Sequence, residues 1–259
     1  AGGQVSECFL KLDTGMGREG LPSTDAVSII RKHNVHGRFG GLSTHLASAD
    51  SATDTSVQLQ YAMFTKCVAD LAQAGYATEH TILSVNNSAG MLREPSLSPY
   101  TNPILHRPGA LIYGIAPQAA SPCPTNPVLT WRARIHLVKS LPAGHAIGYG
   151  ATFITQRESR IATIGVGYAD GYPRHISSDG HILIRGQYAP ICGVVSMDQL
   201  QVDVTDVPGV TEGDWVTLIG TEGTASITVS TLAGWANVPV QWPTSGLSTR
   251  VPRRYTGLE

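Results

Sequence analysis

Charged and polar side chains follow several short apolar runs near the start of the chain. The segment from Lys11 to Gly20, KLDTGMGREG, comes after such a run and contains three glycines together with Arg18. A guanidinium offers a fixed fork of donors that can hold a carboxylate in two places. The segment could equally be a flexible loop with surface Lys and Arg side chains.

Three further runs end in similar residues. His45 follows one of them, although a lone His is often a structural residue. Asn86, Asn87 and Ser88 follow the next, where amides and a hydroxyl would form an ordinary turn or bind a phosphate. Arg107 precedes Pro-Gly-Ala, which offers one cation and a close backbone approach. Each signal is weak alone, but their recurrence at four successive strand ends favours a binding site.

Tyr168 lies in a glycine-rich segment of the second half, GVGYADGYPR, from Gly165 to Arg174. The segment lacks GxGxxG spacing and a following helix, which argues against a dinucleotide site. A tyrosine here would ordinarily be a half-buried aromatic residue. A phenol works as a base only when nearby cations lower its pKa from about 10.

The elements that must position these residues divide the chain in two. The first half alternates predicted strands with predicted helices, which indicates parallel strands joined by crossover helices. The predicted strands are Cys8–Leu12, 41–45, 82–85 and 109–115, and the predicted helices are 23–32 and 57–74, with Leu59, Met63, Val68 and Leu71 on one face.

A proline-rich stretch ends this alternation. Residues 116–127 contain four prolines and are predicted to be a linker between a barrel-like domain (1–115) and a mostly β domain (128–259). Six strand-like runs and one helix near 230–236 are expected beyond it. The fold class is therefore α/β plus β, the C-terminal portion of a (β/α)₈ barrel followed by a β domain. About four βα units precede the linker, whereas a closed barrel needs eight, so we expect an N-terminal part to be missing.

Composition excludes several classes of protein. The 259 residues are 42% hydrophobic and 14% charged with a net charge of -1, which is globular and gives no electrostatic case for nucleic acid or an anionic membrane. No apolar run approaches a membrane span, and no secretion signal is visible at the start. The four scattered cysteines have no metal-site spacing, so we expect no metal and a reducing, cytoplasmic location.

Seven motifs, in order, resemble those of alanine racemases, which are fold-type III pyridoxal-phosphate enzymes. They are LKLDTGMGREG, STHLASAD, NNSAG, RPGALIYGI, IGVGYADGYPR, GVVSMDQLQVDVTD and RVPRRY. The resemblance extends from about Cys8 to Tyr255 and implies an N-terminal barrel, a C-terminal β domain and a homodimer with shared active sites. It also implies interconversion of L- and D-alanine, which supplies a peptidoglycan precursor, with pyridoxal 5'-phosphate as cofactor.

The resemblance also implies a role for each matching residue. Tyr168, from the partner subunit, would be one of two opposed bases, with His45 hydrogen-bonded to it, and Arg107 would face the pyridine nitrogen. The residues implied to bind the cofactor are Asn87, Ser88, Arg107, Gly109, Ala110 and Tyr255. Those implied to bind the substrate carboxylate are Arg18, the backbone of Met197 and Lys11, which could be carbamylated to hold Arg18.

Two positions depart from the family pattern. Ser84 stands where many relatives have a His near the cofactor ring. None of the four lysines (Lys11, Lys32, Lys66 and Lys139) lies in the AxxKANAYGHG-like motif that carries the Schiff-base lysine and second base. We therefore expect the chain alone to be inactive, with a missing N-terminal fragment as one expected partner. A serine racemase of the same family and an inactive cofactor- or partner-binding protein remain as alternatives.

Overall fold

The computed structural model describes residues 8–51, 53–93, 101–116, 125–176 and 180–257. The chain divides into two compact units, Ala1–Asn126 and Pro127–Glu259. The division falls at the end of the predicted linker, most of which (117–124) lies outside the described residues, as does Cys123.

The first unit alternates strands and helices as predicted. Its four-stranded sheet has the order β2-β1-β3-β4 and all its pairings are parallel. Parallel strands place their carboxyl ends at one edge, where the loops that follow them meet. The elements are β1 (Phe9–Asp13), β2 (Leu21–Pro22), α1 (Ala26–Lys32), β3 (Gly41–Ser43), α2 (Ser56–Gln73), β4 (Ile82–Ser84) and α3 (Ser88–Leu92).

The long helix α2 buries a face that overlaps in part with the one predicted, because Val68 and Leu71 are buried as expected. Leu59 was expected in the core but is 62% exposed. Leu59 lies two residues after the buried Val57, about 200° around the helix, and so points away from the core. The buried positions are Val57, Gln60, Tyr61, Phe64, Cys67, Val68 and Leu71, which include two polar side chains that hydrophobic periodicity passed over.

The strand predicted at 109–115 is wrong. Ala110–Tyr113 forms a 3-10 turn instead, with Ile112 and Tyr113 both largely exposed. The extended segment beside β4 lies earlier, because the Leu83 N–H donates to Pro103 O and the Leu105 N–H to Leu83 O, both at 2.9 Å. Its bridges to β4 and Asn87 are parallel, so this segment continues the sheet and brings Arg107 to the same edge as the other strand ends.

The second unit is mostly β, as predicted. Its main sheet has the order β13-β12-β5-β8-β11-β10-β9, and β12 also pairs with β9, which closes the sheet on itself. A small hairpin, β6–β7, stands apart. The elements are β5 (Trp131–Leu141), β6 (Ala146–Ile147), β7 (Phe153–Ile154), β8 (Ser159–Ile164), β9 (His181–Ile184), β10 (Gln187–Cys192), β11 (Leu200–Asp203), β12 (Trp215–Glu222), β13 (Ala225–Ile227), α4 (Val229–Ala236) and α5 (Trp242–Ser245).

The length and hydropathy of the helices bear on the membrane question. Within the described parts of the chain, no helix is both long and apolar enough to cross a bilayer.

Tyr172 offers a test of the packing in the second unit. Its side chain is fully buried beside Trp131, and its hydroxyl has no hydrogen-bond partner among the described residues. Burial raises the pKa of this phenol, so the unpaired group stays neutral. We expect Tyr172→Phe to raise the free energy of unfolding by about 1 kcal/mol, because it removes a desolvated polar atom and keeps the ring. Denaturant titration measures this difference.

Tyr188→Phe is the matched control. The half-exposed Tyr188 hydroxyl donates to Ser226 O at 2.8 Å, so its loss should leave stability unchanged or slightly lower. A clear destabilisation by Tyr172→Phe would mean that the buried hydroxyl has a partner after all.

Candidate active site

The loop after β1 is an ordered turn organised by one carboxylate. Asp13 Oδ1 accepts from the Gly15 and Met16 N–H groups at 2.9 Å, and both carboxylate oxygens accept from Gly17 at 3.1 Å. These hydrogen bonds hold the pKa of the Asp13 carboxyl below its ordinary value. The turn requires positive φ at Gly15 and Gly17, and it ends at the exposed Arg18. The first turn of the segment is therefore ordered, which argues against the alternative that the segment is a flexible loop.

The charges of Arg18 and Arg107 lie close enough to Lys11 and His45 to lower the pKa of both. Burial, followed by the charges of Arg107 and Arg18, lowers the pKa of the Lys11 amine, and Glu19 partly opposes them. Burial, followed by Lys11, Arg107 and Arg18, lowers the pKa of His45. The structure thus brings together four predicted site residues in one cationic neighbourhood at the strand ends.

Arg107 is fixed in place by two acceptors. Its Nη1 donates to Ser84 Oγ and its Nη2 to Thr44 O at 2.6 Å. Ser84 Oγ in turn donates to Leu105 O at 2.7 Å, so its lone pairs are left to face the guanidinium. Ser84, the position that departs from the family pattern, therefore orients Arg107. Burial lowers the pKa of this guanidinium, but a guanidinium stays charged at neutral pH.

Four of the residues predicted to bind phosphate, which are Asn87, Ser88, Gly109 and Ala110, lie at the start of α3 and at the turn bonded to it, and we call this group the phosphate cup. Ser88 Oγ accepts from the Gly109 N–H at 2.9 Å and the Leu111 N–H at 3.3 Å, which joins the start of α3 to the turn that begins at Ala110. Asn87 caps α3 by accepting from the Gly90 N–H at 2.9 Å. A Cβ built on Gly109 would meet no atom within 4 Å, so open space adjoins the backbone at this point. Small residues beside open space and a cation suit a phosphate group.

Sequence reasoning missed the buried polar residues behind this edge. Thr14 Oγ1 and Thr44 Oγ1 are hydrogen-bonded at 2.7 Å, and the Tyr61 hydroxyl donates to Asn86 Oδ1. Asn86 Nδ2 lies 3.3 Å from His106 Nδ1. The signal that was available is Tyr61 on the buried face of α2, because a buried polar group must find a hydrogen-bond partner.

Tyr168 lies in a tight turn of the second unit. Its N–H donates to Ser196 O at 3.1 Å, and the Ala169 N–H donates to Met197 O at 3.0 Å. Gly167 permits this approach, because a Cβ there would overlap both carbonyl groups. The backbone of the turn is therefore bound to the Met197 loop, while the two side chains stay accessible, Tyr168 at 40% and Met197 at 53%.

Charged residues that the sequence did not single out support this turn. Asp170 accepts from the Gly167 N–H at 2.9 Å and pairs with Arg250 at 3.4 Å, and Arg250 also donates to Asp198 at 2.7 Å. The guanidinium of Arg174 lies 5.7 Å from the centre of the Tyr168 ring, a cation–π distance. The network ties three of the seven motifs together.

The remaining predicted residues lie as follows. Tyr255 is 77% exposed near the end of the second unit. Lys32, Lys66 and Lys139 are exposed, and Lys66 pairs with Asp70 on α2. Tyr168, Met197 and Tyr255 belong to the second unit, whereas the other predicted site residues belong to the first. Across the described ranges no group of three His, Cys, Asp or Glu side chains could hold a metal ion.

The lowered pKa of Lys11 predicts unusual amine reactivity. A larger fraction of this amine is neutral at a given pH, which is the form that attacks acylating reagents and carbon dioxide. Lys66 is a matched control, because Asp70 raises the pKa of its amine. In competitive labelling with acetic anhydride from pH 7 to 11, read by mass spectrometry, the labelling midpoint of Lys11 should lie below that of Lys66. Equal midpoints would contradict the cationic neighbourhood.

Comparison with known proteins gives consistent matches along the chain. The family model for the N-terminal domain of alanine racemase matches residues 1–117, and that for the C-terminal domain matches residues 128–255. Among curated relatives, the alanine racemase of Symbiobacterium thermophilum is 42% identical over 98% of this chain and 67% of that protein. That of Halothermothrix orenii is 39% identical over 97% and 66%. The chain thus spans about two thirds of the length of these relatives.

Solved structures agree with this assignment. The crystal structure of alanine racemase from E. faecalis has a TM-score of 0.80 at 32% identity, and the alignment covers 96% of this chain and 65% of that one. The Bartonella henselae alanine racemase, solved with covalently bound pyridoxal phosphate, has a TM-score of 0.81 at 30% identity, with 95% and 66% covered. These similarities support an N-terminal domain of the barrel type and a C-terminal β domain, whereas the absence of a barrel part stays a prediction. The chain belongs to the alanine racemase family.

Proposed function

We propose that the chain takes part in the interconversion of L- and D-alanine with pyridoxal 5'-phosphate as cofactor. The observation that supports this most directly is the arrangement at the strand ends of the first unit. There Arg107 is fixed by Ser84 and Thr44, and two residues further along the chain Gly109 joins Ser88 in the phosphate cup.

The residues of the cup fit the cofactor. Ser88, Asn87, Gly109 and Ala110 would hold its phosphate together with Tyr255, and Arg107 would face its ring nitrogen. When bound, pyridoxal phosphate draws electrons from the Cα of the amino acid and so makes its proton acidic. Because Arg107 keeps its own proton at neutral pH, it presents a hydrogen-bond donor to the ring nitrogen and does not act as an acid.

Tyr168 is our candidate for one of the two bases. Inversion at Cα needs one group to remove a proton and another to return it from the opposite face. The phenol oxygen of Tyr168 would hold the proton on one face. Arg174 lies over its ring, and His45 would be its hydrogen-bond partner. The exposure of Tyr168 and Met197 supports their acting across a homodimer.

Arg18 is our candidate for binding the substrate carboxylate. It follows the turn held by Asp13 and adjoins Lys11, so a carboxylate would enter a region where positive charge is in excess. Met197 would contribute its backbone to the same group. Carbamylation of Lys11, favoured by the lowered pKa of its amine, would convert a repelling cation into an anion that holds Arg18.

The finer points of the assignment are also proposals. The parallel sheet would be about the last four βα units of a barrel, in a domain of residues 1–115 separated by a linker at 116–127 from a β domain at 128–259. We place the reaction in the cytoplasm. None of the four lysines has the motif context of the family's Schiff-base lysine, so the base for the second face is not assigned to any of them.

Replacing Tyr168 tests the proposed base. The natural coding region that contains these residues should allow a bacterial strain that requires D-alanine to grow without added D-alanine. Tyr168→Phe in the same coding region should reduce racemisation by about 100-fold or more, because a general base typically contributes that much. Tyr188→Phe, which removes an exposed hydroxyl from β10, should leave the rate unchanged. The rate is measured as D-alanine formed from L-alanine.

Other outcomes separate the alternatives. A Tyr168→Phe protein as active as the unaltered one would refute the assignment of this base. Faster turnover of L-serine than of L-alanine would favour a serine racemase. Cofactor binding with no turnover of either amino acid would favour an inactive binding protein.

The purified chain of 259 residues tests the assignment of the lysines. We expect it to form no D-alanine with added cofactor, and borohydride reduction followed by mass spectrometry should find no cofactor adduct on its lysines. A reduced adduct on Lys11 would show that this amine, with its lowered pKa, serves as the cofactor lysine. Adducts on Lys32, Lys66 and Lys139 report non-specific labelling, because these side chains are exposed.

A further inference from the structure

Gln60 is a buried polar side chain on the core-facing side of α2. It is 2% exposed and lies among buried apolar residues of the same helix, including Val57 and Phe64. Burying an amide without hydrogen bonds costs several kcal/mol on transfer scales, roughly 2–7, so its presence needs partners.

The amide of Gln60 is fully engaged. Its Oε1 accepts from the Ala47 N–H at 2.9 Å, while its Nε2 donates to His45 O at 2.9 Å and to Thr14 Oγ1 at 3.3 Å. Both amide hydrogens and the carbonyl oxygen are used. The opposite orientation of the amide would place NH₂ against an N–H group and a carbonyl oxygen against a carbonyl oxygen, so this arrangement is the one the surroundings permit.

These bonds connect two loops that carry candidate site residues. His45 and Ala47 belong to the loop after β3, so Gln60 holds the backbone on both sides of Leu46, at the His45 carbonyl and at the Ala47 N–H. Thr14 belongs to the turn after β1 that leads to Arg18, and its hydroxyl is also hydrogen-bonded to Thr44 Oγ1 at 2.7 Å. One buried side chain is therefore hydrogen-bonded to both loops on their core-facing side.

We propose that Gln60 is a positioning residue that holds the His45 loop and the Arg18 loop in a fixed relation. It touches neither substrate nor cofactor and acts through the backbone of His45 and the hydroxyl of Thr14. The imidazole that supports Tyr168 and the guanidinium that binds the substrate carboxylate are thereby presented together. The proposal rests on the proposed function for its catalytic meaning, but its structural content does not.

The test follows the His45 imidazole by NMR in the full chain labelled with ¹⁵N-histidine. The groups whose charges act on His45 are Lys11, Arg107, Arg18 and Glu19. Gln60→Met removes all three hydrogen bonds at similar volume, so the loop should relax towards water and away from these cations. We expect the titration midpoint of His45 to rise towards its ordinary value, because burial and the nearby cations are what lower its pKa.

Gln58→Met is the matched control, because Gln58 is an exposed glutamine on the same helix. It should leave the His45 midpoint unchanged. If Gln60→Met folds and His45 titrates as in the unaltered chain, Gln60 serves only the stability of the helix and the proposal is overturned. A general loss of stability would not by itself shift one histidine selectively.

A measurement on the unaltered chain guards against a variant that does not fold. The side-chain amide hydrogens of Gln60 should exchange with solvent at least ten-fold more slowly than those of Gln58, since they are buried and bonded. Equal exchange rates would overturn the proposal without any substitution.

Kinetics of the natural coding-region protein then separate the two claims. Where that protein racemises alanine, Gln60→Met should raise KM for alanine and lower kcat, because both loops lose their relation, whereas Gln58→Met should change neither. If the unaltered protein does not racemise alanine, the proposed function fails, and the NMR and exchange results still decide the role of Gln60.

Discussion

An excess of positive charge in a partly buried place dominates the first unit. Lys11, His45 and Arg107 each have a pKa displaced towards loss of the proton, and in each case burial is the first cause. The carboxylate of Asp13 accepts its hydrogen bonds from backbone N–H groups of its own turn. Glu19 opposes the cations, because its negative charge raises the pKa of Lys11 and of His45. Such a site gains stability from an anion, and a phosphate and an amino-acid carboxylate are the two anions that the proposed reaction brings.

The parallel sheet explains why these groups meet although they are far apart in sequence. The loops after β1, β3 and β4, and the extended segment before Arg107, all end at one edge. Buried polar groups then fix the loops from below, through Gln60 and the Thr14–Thr44 pair on one side and Ser84 on the other. A serine can take the position of a larger residue at Ser84, because its hydroxyl donates to Leu105 O and still accepts from Arg107.

The sequence indicated the local features of the fold and failed where distant contacts decide. Period-2 and period-3.6 patterns located most strands, α2 and α4, and glycine-rich strand ends located the candidate site. Leu59 was misplaced because apolar residues occur on more than one face of α2, and only the packing shows that the face with Val57 is the buried one. The apolar run Leu111–Tyr113 was mistaken for a strand, whereas the extended segment before it, interrupted by prolines, carried a weak pattern. Gln60 and the Asp170–Arg250–Asp198 network could not be assigned, and Asn86 was noticed without its partners, because the partners lie 13 to 80 positions away.

The second unit holds the backbone of Tyr168 firmly and leaves its side chain accessible. The backbone of Tyr168 is bound to Ser196 O, and Asp170 closes the same turn on the Gly167 N–H. Arg250 bridges Asp170 and Asp198, so the Tyr168 turn and the Met197 loop are joined by charge as well as by backbone hydrogen bonds. These restraints act on the backbone or on neighbouring residues. Within its own unit, the ring of Tyr168 is contacted by the Arg174 guanidinium that lies over it. The base that we propose Tyr168 to be needs this combination, since its oxygen atom must be placed accurately and yet remain available to the substrate.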